Sequence, residues 1–245
     1  MLLILTVAIV VAVLAFYYVA LKPVASCTDN IKNQSELGVD CGGPCAKVCA
    51  MEVVPIITFW SKSFKVQGGY YDVAALVENS NVGFEVQRLE YAFKLYDSKS
   101  ILIAERDGMT YANDKERFVI FEPKVDTGNR LPSRVVLELT EPLWSRTPKN
   151  TQRPTLSIDN KSLTLEPLPK LTATISNQEL YDVQNLDIEA VVYDDKGTAL
   201  AVSSTGIDTL AKSNSAPLIF TWPEAFSAAP AVTEIYPRVH GVTTQ

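Results

Sequence analysis

Four cysteines, Cys27, Cys41, Cys45 and Cys49, crowd into one polar stretch, CTDNIKNQSELGVDCGGPCAKVC, and no other cysteine occurs in the 245-residue chain. Four sulfurs spaced C-x13-C-x3-C-x3-C can close two disulfides, hold one zinc ion or act as a redox dithiol. Structural zinc sites favour C-x2-C knuckles and often recruit histidine, and neither is present here. The sequence Cys41-Gly-Gly-Pro-Cys45 carries one glycine too many for a C-x-x-C redox pair, and no βαβ pattern surrounds it. A segment with so few apolar residues needs cross-links to hold a shape, so two disulfides are expected, with zinc as the second reading. Four cysteines allow three pairings, and all three stay open. Between the cysteines, Asp29, Asn33, Glu36 and Asp40 offer oxygen ligands while Gly38, Gly42 and Gly43 permit tight turns. Calcium is therefore a candidate ligand, although the pattern is not that of an EF-hand loop.

Little else in the chain has the makings of a catalytic group. The single histidine, His240, sits in the polar tail HGVTTQ with few groups to orient it, which excludes histidine-based triads and multi-histidine metal sites. Asp and Glu number 28 against 22 Lys and Arg, and none of the carboxylates stands in a recognisable catalytic spacing. A formal charge of −6 leaves no basic field for phosphates, so no nucleic-acid partner is expected. The chain reads as a non-enzyme with no cofactor beyond the candidate calcium. Asn33-Gln-Ser35 and Asn160-Lys-Ser162 are N-glycosylation sequons.

The elements that would position the cysteines begin at the N-terminus. Residues 2–21 carry no charge and match the ~20 residues a helix needs to cross about 30 Å of hydrocarbon. Phe16, Tyr17 and Tyr18 suit the headgroup layer, and Lys22 and Pro23 close the run. One transmembrane helix or signal anchor is expected over residues 1–22. A cleaved secretory signal is the alternative, since Val24-Ala25-Ser26 is a small-residue cleavage site, but no basic residue precedes an apolar run that is long for a signal. A lipoprotein anchor at Cys27 would leave three cysteines unpaired. Basic residues do not orient the span, so the cysteines decide it. Disulfides persist in oxidising compartments, so everything from residue 27 onward is expected outside the cytoplasm.

Residues 27–45 resemble a bacterial cell-surface motif, C-x-D-G-I-x-N-x-x-E-x-G-x-D-C-G-G-x-C. It is matched by Cys27, Asp29, Ile31, Asn33, Glu36, Gly38, Asp40, Cys41, Gly42, Gly43 and Cys45, with Asn30 in place of glycine. Asparagine also tolerates left-handed geometry. The resemblance implies an exported, stalk-like module, here taken as 26–50.

Beyond Cys49 the chain is a series of short β runs. Strands are expected at 53–59, 71–78, 86–96, 117–121 and 134–139, and again at 155–165, 171–176, 184–193, 198–203, 216–221 and 232–236. No amphipathic helix of ordinary length intervenes, so a two-sheet sandwich is expected in each of two blocks, 51–148 and 149–245. The blocks align: Leu89-Glu-Tyr-Ala-Phe-Lys-Leu-Tyr-Asp97 on Leu186-Asp-Ile-Glu-Ala-Val-Val-Tyr-Asp194, and Ala75-Leu-Val-Glu-Asn79 on Thr174-Ile-Ser-Asn177 after a one-residue adjustment. Leu89, Tyr91, Phe93 and Leu95, like Leu186, Ile188, Ala190 and Val192, alternate with their neighbours, so one strand face is expected to pack inward. The segment EPLWSRTPKNTQRP reads as a stiff linker, with Trp144 packing at the junction.

Phe93, Leu95, Tyr96 and Asp97 spell F-x-L-Y-D before a Ser-Lys-Ser turn, so the first block resembles the FxLYD family of immunoglobulin-like β-sandwich domains. The second block keeps Tyr193 and Asp194 and is a diverged copy. The resemblance implies all-β tandem sandwiches on exported or membrane-anchored proteins, with no catalytic residues to carry over. The combined expectation is a single-pass surface protein whose β-sandwiches bind an unknown protein partner or act as a spacer. The alternatives are an accessory subunit of an envelope assembly of secretion or pilus type, and, from another class, a carboxylate-based cell-wall hydrolase.

Overall fold

The computed structural model describes residues 2–17, 26–239 and 242–243. They fall into two compact units, Met1–Glu52 and Val53–Gln245. His240 lies outside the described residues.

The first unit begins with α1 (Leu2–Phe16), a helix that is apolar throughout apart from one threonine. Val7, Ile9, Val10, Val11, Val13, Leu14 and Phe16 are all more than half exposed, so these side chains find no protein cover. Fifteen residues at 1.5 Å each rise only about 22 Å, short of the hydrocarbon thickness. No helix among the described residues is long and apolar enough to cross a membrane. The expected span of residues 2–21 runs on into residues 18–25, which lie outside the described residues. The cysteine-bearing segment is built of turns around one antiparallel bridge, Gly38 with Cys41, and ends in a short 3-10 helix, Ala50–Glu52.

The second unit is antiparallel β throughout. Its strands are β1 (Ile57–Gln67), β2 (Tyr70–Asn79), β3 (Phe84–Tyr96), β4 (Leu102–Ala112), β5 (Glu116–Asp126), β6 (Arg134–Leu139), β7 (Ser145–Arg146), β8 (Thr151–Gln152), β9 (Leu156–Thr164), β10 (Lys170–Asn177), β11 (Val183–Tyr193), β12 (Ala199–Leu210), β13 (Ser215–Thr221), β14 (Val232–Arg238) and β15 (Val242–Thr243). Four sheets hold most of them: β1-β2-β5, β4-β3-β6, β9-β10-β13 and β12-β11-β14. The second pair repeats the strand order of the first. Short β7 adds to β3, and β15 pairs with β8.

Three dry layers separate the four sheets. Val73, Ala75 and Val77 of β2 meet Leu89, Phe93 and Leu95 of β3 in one core. Leu171, Ile175 and Phe220 meet Leu186, Ile188 and Val192 in another. The third layer joins the halves: Ala74 and Leu76 of β2 and Val119 of β5 pack on Val191 and Tyr193 of β11 and Ala199 and Val202 of β12, with Trp60, Phe64 and Phe121 at the edges. Since side chains alternate across a strand, β2 and β11 are each buried on both faces, where for β11 one buried face was expected. The part of the chain expected to form two separate sandwiches is accordingly one compact unit.

The two outermost faces mix polar and charged side chains with a few exposed apolar ones, among them Met109 and Ile219. On β3, Lys94 pairs with Glu138 and Glu105; on β10, Thr172, Thr174 and Ser176 stay half exposed. The expected linker is also pinned. Trp144 packs against the first core, β7 joins β3, the Thr147 N–H donates to the Gly83 carbonyl, and Arg153 pairs with Asp114. Strand β4, which carries the charged stretch Glu105-Arg-Asp-Gly108, was not among the expected strands. What makes it a strand is its long ladder with β3, in which Gly108 lies opposite Tyr91.

Candidate functional site

The disulfides are Cys27–Cys45 and Cys41–Cys49, and no free cysteine remains. They clamp a loop whose backbone is tuned to them. A Cβ on Gly38 would sit 2.7 Å from the Cys41 sulfur. Gly42 has φ +75° with Leu37 crowding it, and Asn30 takes φ 58°, the left-handed conformation its place in the motif calls for. With every sulfur in a disulfide, no thiolate is left to bind zinc. Glu36, buried, has Oε1 3.1 Å from the Cys45 sulfur, which carries no hydrogen because it is bonded to Cys27.

The four candidate calcium ligands lie in one hydrogen-bonded loop with their carboxylates aimed at amide groups, but Asp29, Glu36 and Asp40 do not converge as one ligand set among the described residues. Asp40 accepts the Asp29 N–H at 3.0 Å and the Asn30 N–H at 2.9 Å. Asp29 accepts the Ile31 and Ser26 N–H groups and the Asn33 side-chain amide, and the Asn33 bond is the main reason its pKa is held below the usual value. Glu36 Oε2 accepts the Asn33 N–H at 3.1 Å. Asn33 Oδ1 is buried with no hydrogen-bond partner among the described residues.

The F-x-L-Y-D residues build turns and core. Phe93 and Leu95 are fully buried. Asp97 Oδ1 accepts the N–H groups of Lys99 and Ile101, and Asp194 Oδ1 accepts those of Lys196 and Thr198, the same arrangement twice. These bonds hold both carboxyls below the ordinary carboxylate range. Asp97 also pairs with Arg130. The tyrosines differ: the Arg134 guanidinium lies over Tyr96, while Tyr193 is buried in the seam edge-on to Trp60. Asn79 and Asn177, both buried, bridge neighbouring loops by their side-chain amides in each half.

Where β14 meets β4 and β5, the first half holds a charged side chain of the second. Arg238 is 5% exposed. It reaches Glu116 at 3.1 Å, Thr110 Oγ1 at 3.1 Å and the Tyr111 carbonyl at 2.6 Å, and its guanidinium lies over the Tyr111 and Phe118 rings at 4.3 and 3.9 Å. Nearby, Glu189 is buried with Oε2 unpartnered among the described residues. Burial pushes its carboxyl up to about 8 against the pull of Arg238, with Asp187 and Glu116 adding to the rise. Sequence reading missed both residues; the signal was a charge inside the apolar run of β11.

A groove of about 710 Å³ runs along the rim of the seam. Residues 61–66 of β1 and 198–202 at the start of β12 line it as continuous stretches, with Arg134, Trp222 and Phe226 completing the walls. Both strands are sheet edges. On β12, the Ala199 carbonyl accepts from Lys62 Nζ at 3.4 Å and the Val202 carbonyl from Trp222 Nε1 at 3.0 Å. On β1, no hydrogen bond beyond the β2 ladder reaches the main chain of residues 62–66 among the described residues. Glu189 does not line this groove; Asp72 and Glu224 are its carboxylates.

No family model matches the chain, and no curated protein does. Among solved structures it is similar to red sea bream transglutaminase at 15% identity and a TM-score of 0.24, over 76% of this chain and 31% of that one.

Proposed function

We propose that this chain is a membrane-anchored, extracytoplasmic, non-enzymatic surface protein. In this reading two tandem immunoglobulin-like β-sandwiches of FxLYD type stand behind a disulfide-braced neck and serve as a binding and spacing module. The observation that carries it is the pairing of all four cysteines in a segment with almost no apolar core, because such cross-links persist only in an oxidising compartment. The repeated strand order and the repeated aspartate turn support the tandem reading. The uncovered apolar side chains of α1 support a lipid anchor. A dry seam between the two halves suits a spacer, since it removes the hinge that a free linker would provide.

The test is topological. Intact cells are treated with a membrane-impermeant amine label, and the full chain is then recovered and weighed without reduction. Lysines of the β-rich region are expected to react before permeabilisation, and two hydrogen pairs are expected to be missing from the mass. Labelling only after permeabilisation, or four free thiols, would overturn the reading.

A further inference from the structure

We infer that the groove between β1 and β12 is a docking site for an extended acidic peptide segment of a partner protein, which adds as a strand to the free edge of β1. The inference rests on the binding-module reading above and names its ligand. Its first support is the edge itself. Residues 62–66 turn a main-chain edge about 17 Å long into the groove, with no main-chain partner on that side among the described residues. The opposite wall, β12, has its carbonyls at Ala199 and Val202 taken by Lys62 and Trp222, so only one of the two edges is open to a new strand.

The second support is charge. The chain as a whole is acidic, and among the described residues Arg88, Arg106, Arg117, Arg130, Arg153 and Arg238 each face a carboxylate. Lys62, Lys65 and Arg134, which line the groove, make no ion pair among the described residues. Of the acids there, Asp72 is engaged by the Lys124 N–H at 2.9 Å, and Glu224 stands exposed on the loop after β13. Three unneutralised cations beside an open strand edge favour carboxylates on alternate positions of an extended chain. Phe64, Trp222 and Phe226 give the intervening side chains an apolar wall. A glycan acid would satisfy the charges but not the row of main-chain donors and acceptors, so a peptide is the better fit.

The test uses the full-length protein in detergent and a fluorescein-labelled decapeptide alternating glutamate with valine, read by fluorescence anisotropy. Saturable binding is expected, weakening as salt rises, and falling about tenfold in Lys65→Glu or Arg134→Glu. Both residues are exposed, so the variants keep the fold, which circular dichroism verifies. A peptide N-methylated on alternate amides, and one with lysine for glutamate, are expected not to bind. Equal binding of the N-methylated peptide, displacement by polygalacturonate at equal carboxylate concentration, or no binding of the parent peptide would overturn the inference. Any of these together with external labelling of intact cells removes the peptide site while leaving the surface location standing.

Discussion

Replacing Arg238 with alanine should loosen the union of the two halves. The side chain is almost wholly buried, and it satisfies a largely buried carboxylate, a hydroxyl and a main-chain carbonyl while lying over two rings. Removing one member of a buried charge pair typically costs about 3–5 kcal/mol, because the survivor, here Glu116, is left without its counter-charge. The two ring contacts add about 1 kcal/mol each in isolation, but they are lost in the same event, so we expect about 4 kcal/mol in total. With a urea slope of roughly 2–3 kcal/mol/M for a unit of this size, the midpoint should fall by about 1.5 M. The three tryptophans report separately: Trp60 from the seam, Trp144 from the first core and Trp222 from the second. Single-tryptophan versions of the wild type should unfold together, whereas in Arg238→Ala the Trp60 signal should move first. Arg238→Lys should recover only part of the loss, since an ammonium cannot reproduce the fork of bonds. A destabilisation below about 1 kcal/mol, or coincident transitions in the alanine variant, would refute the claim that this side chain clasps the halves.

Other consequences are open to direct measurement. Glu189 titrates near 8 in the folded protein and about 4.3 when unfolded. Its raised value means that stability is full below the unfolded value and lost as pH climbs through 8, by at most about 5 kcal/mol. Glu189→Gln should flatten that part of the urea midpoint profile between pH 5 and 9, and an unchanged profile would count against it. Gly108→Ala drives a methyl into the ring of Tyr91 and should cost about 1–3 kcal/mol. Most of this should return in the double variant with Tyr91→Leu, and additive losses would mean that the strand shifts instead. Asp97→Asn and Asp194→Asn should each lower the melting temperature at pH 7, with the larger drop at Asp97, which also holds Arg130. Because both carboxyls titrate low when folded, the deficit should shrink as pH falls through their folded values.

Much of the fold was legible because the strands obey simple patterns. The alternation of Leu89, Tyr91, Phe93 and Leu95, and of Leu186, Ile188, Ala190 and Val192, marks the faces that line the two inner cores, and all eight residues are buried there. The Asp-turn signals were equally local. The seam was harder to read, because its side chains sit between those same positions: Ala74 and Leu76, Val191 and Tyr193 turn half-buried patterns into continuous apolar runs. Val73-Ala-Ala-Leu-Val77 and Ala190-Val-Val-Tyr193 are what a strand covered on both sides looks like. Strand β4 escaped notice because its charged stretch with a glycine breaks the apolar alternation that marks a strand, although it is the return arm of the hairpin that turns at Asp97. The carboxylates of Asp29, Asn33's neighbour Glu36 and Asp40 were visible as oxygen donors, but only the backbone paths around them reveal that amide hydrogens occupy them.

The same surface has opposite fates in the two halves. The positions of Ala74 and Leu76, greasy and covered in the first half, are filled by Thr172 and Thr174 in the second, and the position of covered Val191 is filled by Lys94 in the first. Each half thus carries one sticky side and one wet side, turned so that the sticky sides meet and the wet ones form the two ends of the pile. The two halves therefore stack through one face each, and the copy that supplies lysine or threonine at these positions turns that face to solvent.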